Sequence, residues 1–223
     1  MSVKRIIGIC GAAGGGSAGA GKDAVADFLV KDHGLARIAL ADPMKRMIYG
    51  ENLWPFNEEQ MWGPSERRAE PPVGRKGPIL REALQRLGTE WARALDEDVW
   101  VRKTLRMADH LLALGGLGYD PVRGLFIDHE PCPTPAGVVI PDVRFDNEAA
   151  AIRAAGGEVW KVVRPGVEGG AFLGGGVVGH TSEAGVSDDL IDRVLMNTGT
   201  LSDLQGLVAG ALGLSRWMER SVP

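Results

Sequence analysis

The feature that most constrains this chain is a glycine-rich turn that ends in a lysine. Residues 16–23 read G-S-A-G-A-G-K-D; they follow a short apolar run at residues 6–10 and precede a helix-like segment at residues 24–30. Because glycine has no side chain, such a turn lets backbone N–H groups converge on phosphate oxygens, and the lysine and the helix N-terminus add positive charge. The order of strand, glycine-rich turn, lysine and helix therefore predicts a phosphate-binding P-loop.

The loop departs from the usual pattern in two ways. Asp23 stands where a P-loop usually has the Ser or Thr whose hydroxyl holds Mg²⁺. The G-x-x-x-x-G-K spacing is met from Gly16, so residues 12–16 are interpreted as an extension of the turn, and the glycine that makes the first bend stays open. A flexible Gly/Ala linker is the alternative, although it does not explain a lysine between a buried-looking strand and an amphipathic segment.

Composition narrows the class of protein. The 223 residues, 44% of them hydrophobic, suffice for one full core or for one core with a small lid. A net charge of −4 gives no overall cationic field for DNA or RNA, and no apolar run approaches the length needed to cross a bilayer. Cys10 and Cys132 form no pattern. We therefore expect a cytoplasmic protein without nucleic-acid or membrane partners.

The order of apolar runs predicts an α/β fold. Strands are predicted at residues 4–10, 36–40, 138–143, 158–164 and 193–196, and helices at residues 23–31, 43–49, 79–95, 99–114, 147–155 and 201–212. Alternation of the two implies a P-loop NTPase-type parallel sheet of about five strands with helices on both faces. Residues 51–77, 115–137 and 165–179 are predicted loops, and the third is the best candidate for a mobile segment.

The predicted helix at residues 79–95 carries two stripes. Its apolar stripe, spaced as one buried helical face, consists of Leu80, Leu84, Leu87, Trp91 and Ala94. Beside it runs a polar stripe with a spacing of four residues: Arg81, Gln85, Thr89 and Arg93. Two arginines that flank a Gln and a Thr suit a phosphate and a base edge, but a solvated surface has the same periodicity, so both interpretations stay open.

A second motif lies at residues 138–148, V-V-I-P-D-V-R-F-D-N-E. An apolar strand that ends in Asp142 resembles a Walker B element, whose carboxylate orients Mg²⁺ at the carboxyl edge of the sheet. Arg144 follows two residues later, within reach of a transferring phosphoryl group. Asp142 has an alternative role as the cap of the next helix, although Asp146 is better placed for that role.

Six motifs in a fixed order resemble one family. They are G-K-D, A-D-P-M-K, L-Q-R-L-G-T-E-W-A-R, D-V-R-F-D-N-E, H-T-S-E and N-T-G-T-L, and they extend from the P-loop to Leu201. Together they resemble the deoxynucleoside monophosphate kinases of bacteriophages, in which Asp characteristically replaces the P-loop Ser or Thr. The resemblance implies one kinase domain over residues 1–223, with an acceptor-binding helical part at about 43–114 and a candidate lid at about 165–182. Residues 115–137 look like an insertion, which we expect to decorate the surface.

The resemblance also implies an activity and a set of site residues. The activity is transfer of the γ-phosphoryl group of ATP to a deoxynucleoside monophosphate, with Mg²⁺. The implied catalytic residues are Lys22, Asp142 and Arg144, and the implied Mg²⁺ ligands are Asp23 and Asp142. The implied ATP-binding residues are Gly16, Gly19, Ala20, Gly21, Lys22, Asp23, Asn197, Gly199 and Thr200. The implied acceptor-binding residues are Asp42, Lys45, Arg81, Gln85, Thr89, Arg93, His180 and Glu183.

Two other functions stay open at this point. A P-loop kinase for another small acceptor, such as dephospho-coenzyme A, explains the loop and Asp142 but gives the 85–89 segment no task. A nucleotide-binding module without turnover explains the loop alone. Thr200 has the additional interpretation of a helix N-cap. The expected partners are small-molecule nucleotides, a homodimer stays open, and a phage-encoded protein would lie in the host cytoplasm.

Overall fold

The centre of the molecule is a five-stranded parallel β-sheet. A computed structural model describes residues 5–12, 19–74, 76–114, 117–127, 133–166 and 185–213. In chain order the strands are β1 (Arg5–Gly11), β2 (Leu35–Arg37), β3 (Leu117–Asp120), β4 (Gly124–Ile127), β5 (Gly137–Ile140), β6 (Glu158–Val163) and β7 (Arg193–Met196). The sheet has the order β2-β5-β1-β6-β7, and every pairing in it is parallel, whereas β3 and β4 form a separate antiparallel hairpin.

Helices connect the strands. They are α1 (Lys22–His33), α2 (Asp42–Gly50), α3 (Glu58–Trp62), α4 (Leu80–Gln85), α5 (Val99–Ala113), α6 (Asp146–Ala154) and α7 (Leu201–Ala211). Short three-ten helices occupy Ser65–Ala69 and Asp188–Leu190, and α4 continues as a π-helix over Arg86–Arg93. The predicted α/β fold class, a P-loop NTPase-type parallel sheet flanked by helices, is confirmed. Within the described part of the chain, no helix is long and apolar enough to span a bilayer.

Both faces of the sheet are covered. Successive side chains of a strand point to opposite faces. Accordingly, Ile6 and Cys10 of β1 belong to a core that includes residues of α5 and α6, whereas Ile7 and Ile9 belong to a core that includes residues of α1 and α7. Burial on both faces explains the near-continuous apolar runs from which the strands were predicted. It also leaves the edge where the strands end as the place for polar residues.

The segment predicted as a loop at residues 51–77 contains two helices, so that prediction is wrong. Asn57 caps α3 by accepting a hydrogen bond from the Gln60 backbone N–H, and the Gln60 side chain accepts one in return from the Asn57 N–H. The Gln60 amide is buried and donates to the Pro71 carbonyl oxygen. A separate apolar cluster, consisting of Ile48, Phe56, Met61, Leu80 and Ala83, stabilises this region. Whether residues 43–114 bind the acceptor stays a prediction.

The apolar stripe predicted for residues 79–95 is correct only in its first part. Leu80 is fully buried, but Trp91 is 53% exposed and Ala94 is exposed. The second half of the segment is a π-helix, which has i→i+5 hydrogen bonds and therefore more residues per turn than an α-helix. The buried positions consequently move to Gly88 and Ala92.

The predicted loop at residues 115–137 contains the β3–β4 hairpin. Asp120 closes its turn, because its Oδ1 atom accepts hydrogen bonds from the backbone N–H groups of Val122 and Arg123 at 2.9 and 2.8 Å. Tyr119 packs against the core that contains α5 and α6. The hairpin is thus part of the packed molecule, and the expectation that this insertion only decorates the surface is wrong.

Candidate active site

A cleft of about 1740 Å³ opens at the carboxyl edge of the sheet. β1 lies at the centre with β5 and β6 beside it, so the loops that follow β1, β2 and β5 leave the sheet close to one another. In open parallel sheets this edge is the usual place for a ligand. The predicted site residues that line the cleft are Gly19, Gly21, Lys22, Asp23, Asp42, Lys45, Arg81, Gln85, Thr89, Arg93, Asp142 and Arg144.

The end of the glycine-rich turn has the backbone that only glycine adopts without strain. Gly19 has φ 81° and Gly21 has φ 101°, and Gly21 is the N-cap of α1. A Cβ on Gly21 would also lie 2.7 Å from Nδ2 of Asn197. That same Nδ2 donates to the Ala20 carbonyl oxygen at 2.9 Å, and Asn197 is buried. The Asn197 side chain, directly after β7, therefore packs against the turn and holds it by a hydrogen bond. Gly16, the predicted start of the loop, lies outside the described residues.

Lys22 is held in a cleft of mixed charge. Burial, together with the Arg144 guanidinium, lowers the pKa of its ammonium group to about 8, although the carboxylates of Asp23 and Asp142 oppose the change. Such an ammonium group gains from the arrival of an anion, because the anion restores the charge that burial disfavours. Arg144 itself is exposed. The structure therefore places the three predicted catalytic residues within electrostatic range of one another.

Asp142 connects the segment that follows β5 to the segment that follows β2. Its Oδ1 and Oδ2 atoms accept hydrogen bonds from the backbone N–H groups of Leu40 and Ala41 at 2.8 and 3.0 Å. The alternative that Asp142 caps the following helix is therefore wrong, since α6 begins four residues later at Asp146. The Asp146 carboxylate accepts hydrogen bonds from the Ser187 backbone N–H and hydroxyl.

The residues present fit a magnesium ion that is held mainly by nucleotide phosphates. Among the described residues, no group of three or more His, Cys, Asp or Glu side chains is arranged to hold a metal ion. Mg²⁺ in phosphoryl-transfer sites commonly uses only one or two carboxylates together with substrate oxygens and water. Asp23 and Asp142 both line the cleft, and each carboxylate keeps lone pairs beyond its contacts. Asp23 also forms an ion pair with Arg37.

On the other side of the cleft, a buried ion pair begins α2. Asp42 and Lys45 are 4% and 6% exposed, and Lys45 Nζ lies 3.9 Å from Asp42 Oδ1. Asp42 Oδ2 accepts hydrogen bonds from the Ala39 backbone N–H at 3.0 Å and from the Tyr119 hydroxyl at 2.7 Å. Burial raises the pKa of Asp42, whereas burial and the nearby Arg68 guanidinium together lower the pKa of Lys45 to about 8. The two opposite charges therefore stabilise each other, and the Ala39 N–H and the Tyr119 hydroxyl also stabilise the Asp42 carboxylate.

The polar stripe predicted on α4 and the π-helix faces the cleft. Its four members are half-buried and line the cleft. Whether they bind a phosphate and a base edge, or form a solvated surface, stays open. Arg93 is already engaged by the protein: it donates to the Glu97 carbonyl oxygen and to Asn147, and its guanidinium lies 3.8 Å from the Phe145 ring centroid. Arg93 NH1 also lies 3.5 Å from Glu148 Oε1. The acceptor-binding role of Arg93 stays a prediction, with these structural contacts beside it.

The charged or polar cleft residues without a predicted role include Arg68, Tyr119 and Glu148. Arg68 has a buried Nε atom without a hydrogen-bond partner among the described residues. Its guanidinium lies in the field of Asp23 and Asp142 as well as Arg144 and Arg81. The cationic character of residues 67–76 was a signal for Arg68. For Tyr119 the sequence offered no comparable signal.

Glu148 braces the segment that carries Arg144. Its Oε2 atom accepts hydrogen bonds from the backbone N–H groups of Arg144 and Phe145 at 2.8 and 3.1 Å. Burial raises the pKa of Glu148 to about 7, against the effect of these two donors and of Arg93. Glu148 stands at the end of the D-V-R-F-D-N-E motif, which drew attention to the segment but not to this residue.

The remaining predicted residues do not line the cleft or lie outside the described chain. Asn197, Gly199 and Thr200 follow β7 and are not among the cleft residues. The N-cap interpretation of Thr200 is confirmed, because its hydroxyl accepts a hydrogen bond from the Asp203 backbone N–H at 3.3 Å. His180, Glu183 and almost all of the candidate lid lie outside the described residues. The contact of these residues with ATP or with the acceptor stays a prediction.

One comparison with known proteins gives a relative. A protein of Acanthamoeba polyphaga mimivirus named "Putative deoxynucleotide monophosphate kinase" is 30% identical to this chain over 152 residues, which are 68% of this chain and 72% of the mimivirus protein. No family model matches the chain.

Proposed function

The chain belongs to the family of nucleotide kinases that includes this mimivirus protein, and from that premise we propose that it transfers the γ-phosphoryl group of ATP to a deoxynucleoside monophosphate. The products would be the deoxynucleoside diphosphate and ADP. The observation that carries the proposal is the lining of one cleft at the carboxyl edge of the sheet, where the lysine of the glycine-rich turn and several further cations occur together with Asp23 and Asp142.

The cations of the cleft suit two phosphorylated ligands. Seven Lys and Arg side chains among the described residues line it: Lys22, Arg37, Lys45, Arg68, Arg81, Arg93 and Arg144. Lys22 and Arg144 lie on the P-loop side, whereas Lys45, Arg68 and Arg81 come from the helical segments after β2. This division supports a donor triphosphate at the loop and an acceptor phosphate opposite it. The volume of the cleft exceeds that of an ordinary single-ligand pocket, which also supports two substrates.

The reaction needs placement more than it needs a base. An acceptor phosphate with a second pKa of about 6 is largely dianionic at neutral pH, so one of its oxygens can attack the γ-phosphorus directly. As that bond forms, the bond from the γ-phosphorus to the β–γ bridging oxygen breaks and ADP leaves. Lys22 and Arg144 would neutralise charge on the moving group, while Arg81 and Arg68 would hold the acceptor phosphate in line.

Mg²⁺ would bind between the nucleotide and two carboxylates of the chain. Asp23 and Asp142 would hold it, in part through water, because Mg²⁺ loses its hydration shell reluctantly. The ion would supply charge neutralisation on the triphosphate. The two backbone N–H groups that fix the Asp142 carboxylate would keep it oriented toward that position.

A panel of acceptors tests the proposal. Purified protein is incubated with ATP, Mg²⁺ and, separately, dGMP, dTMP, dAMP, dCMP and dephospho-coenzyme A, and the products are separated by anion-exchange chromatography. A deoxynucleoside diphosphate from at least one acceptor supports the proposal. Phosphorylation of dephospho-coenzyme A alone, or nucleotide binding with no turnover, contradicts it. Protein with Lys22→Ala, purified in parallel, controls for a contaminating kinase.

A further inference from the structure

The β3–β4 hairpin brings a tyrosine hydroxyl to the buried carboxylate at the start of α2. The Tyr119 hydroxyl donates to Asp42 Oδ2 at 2.7 Å. Arg46 of α2 clamps the same part of the hairpin, because its NH1 donates to the Tyr119 oxygen at 3.2 Å and to the Pro121 carbonyl oxygen at 3.0 Å. Tyr119 and Pro121 both line the cleft. The hairpin and α2 are thus joined at the place where the acceptor is proposed to bind.

We propose that Tyr119 is a positioning residue that holds the Asp42 carboxylate ionised and in place for the acceptor nucleotide, and that the β3–β4 hairpin is a wall of the acceptor pocket. The inference rests on the proposed function. Nothing in the motifs of the sequence assigns a task to residues 117–127, so the structure alone points to this segment.

The hydrogen bonding of Asp42 explains why one hydroxyl matters. Oδ2 is occupied by the Ala39 N–H and by Tyr119, so Oδ1, which faces Lys45 at 3.9 Å, keeps capacity for a donor on a ligand. A carboxylate buried to this extent needs its donors, because an unpaired buried charge is strongly disfavoured. Loss of the Tyr119 hydroxyl therefore favours protonation of Asp42 and frees its side chain to rotate.

The other charged groups around Asp42 act in known directions. Lys45 lowers the pKa of Asp42, as do the Tyr119 hydroxyl and the Ala39 N–H, whereas burial and the Asp142 carboxylate raise it. Burial and Asp42 together raise the pKa of Tyr119 far above its ordinary value, so Tyr119 stays a hydrogen-bond donor at any working pH. An ionised Asp42 beside Lys45 offers one acceptor and one donor, which suits a sugar hydroxyl or a base edge of a nucleoside monophosphate.

The test compares the two tyrosines of the chain. Tyr119→Phe removes only the hydroxyl, and Arg46 retains its bond to Pro121. Tyr49→Phe is the matched control, because the Tyr49 hydroxyl donates to Glu58 on the surface, away from the cleft. For Tyr119→Phe we expect kcat/KM for the acceptor to fall by about five- to thirtyfold, chiefly through KM, with KM for ATP changed by less than about twofold. The acidic limb of its pH profile should move to higher pH. Tyr49→Phe should match the wild type.

A double-mutant cycle with Asp42→Asn separates positioning from general packing. If Tyr119 acts through the Asp42 charge, the effect of Tyr119→Phe should shrink to less than about threefold in the Asp42→Asn background. An undiminished effect there, a pH profile that does not move, or equal changes in both tyrosine variants would overturn the inference. Thermal melts show that each variant is folded. If the wild type phosphorylates none of the four deoxynucleotides, the proposed function fails; if the wild type is active and Tyr119→Phe is unchanged, only this inference fails.

Discussion

At the scale of single residues, we expect the proposed activity to depend most on the Lys22 ammonium group. Lys22→Ala should lower kcat by about two to four orders of magnitude, because the charge acts on the transferring phosphates and not on the packing of the fold. Steady-state kinetics with ATP and the best acceptor measures this. Lys31→Ala, an exposed lysine at the other end of α1, is the matched control and should be without effect. A loss of tenfold or less in a folded variant would contradict the assigned loop.

Arg68 gives a second prediction for a single residue. We expect Arg68→Ala to lower kcat/KM for the acceptor by about 10- to 150-fold, since a charge-assisted hydrogen bond to phosphate is worth roughly 1.5–3 kcal/mol. Arg68→Lys should retain more of the wild-type kcat/KM than Arg68→Ala but not all of it, because lysine lacks the planar guanidinium that can donate two parallel hydrogen bonds. Kinetics at varied acceptor concentration measures both. Arg106→Ala, on the exposed side of α5, is the control; no change in either Arg68 variant would remove Arg68 from the site.

The sequence predicts cleft residues that belong to a local motif. It does not predict cleft residues that tertiary contacts alone bring to the cleft. Lys22 and Asp142 were predicted from local patterns. A lysine after a glycine-rich turn and an aspartate after a buried strand each indicate a phosphate or metal site from about ten consecutive residues. Tyr119 contacts Asp42 across 77 positions, and no local pattern indicates such a contact. Arg68 is an intermediate case: the sequence shows its positive charge but does not show that its side chain lines the cleft.

At the scale of elements, Arg93 joins the π-helix to the start of α6. Arg93→Ala would leave the buried Glu148 carboxylate without its cation and remove the contact with the Phe145 ring. We expect the free energy of unfolding to fall by about 3–5 kcal/mol, the usual cost of breaking one partner of a buried pair. Urea denaturation measures it. Arg86→Ala, whose partners Glu82 and Glu90 are on the exposed face, is the control and should lower the free energy of unfolding far less.

The elements were predictable in kind but less so in geometry. The strands of the parallel sheet and helices α1, α2 and α5 to α7 were expected within about three residues of their observed bounds, because burial on one or two faces imposes a clear period on the sequence. The largest differences are in β2 and β5, which each end three residues before the predicted end. The π-helix was not expected, since its wider turn is fixed by close packing. A Cβ on Gly88 would lie 2.6 Å from Met44 Sδ, and the Gly88 carbonyl accepts a hydrogen bond from Trp100 Nε1 at 3.0 Å. Those contacts are visible only in three dimensions.

At the scale of the whole molecule, the cleft concentrates positive charge in a chain with a net charge of −4. Burial lowers the pKa values of Lys22 and Lys45 to about 8, so both are partly neutral in the free protein above that pH. A bound polyanion should raise these pKa values again, and binding at about pH 8.5 should take up protons while affinity falls with rising pH. Calorimetry in two buffers of different ionisation enthalpy measures the uptake, which should decrease in Lys22→Ala. Proton release at this pH would contradict the prediction.

The hydrogen bond from Asn197 to the Ala20 carbonyl spans 177 positions of the chain and has a consequence for biosynthesis. The ribosome synthesises the glycine-rich turn long before it synthesises Asn197, whose side-chain amide holds the Ala20 carbonyl and which directly follows β7. The nascent chain would therefore complete the support of this turn only after Asn197 has left the exit tunnel. Fragments that stop before Asn197 would lack this support, and their glycine turn should be less ordered than in the longer chain.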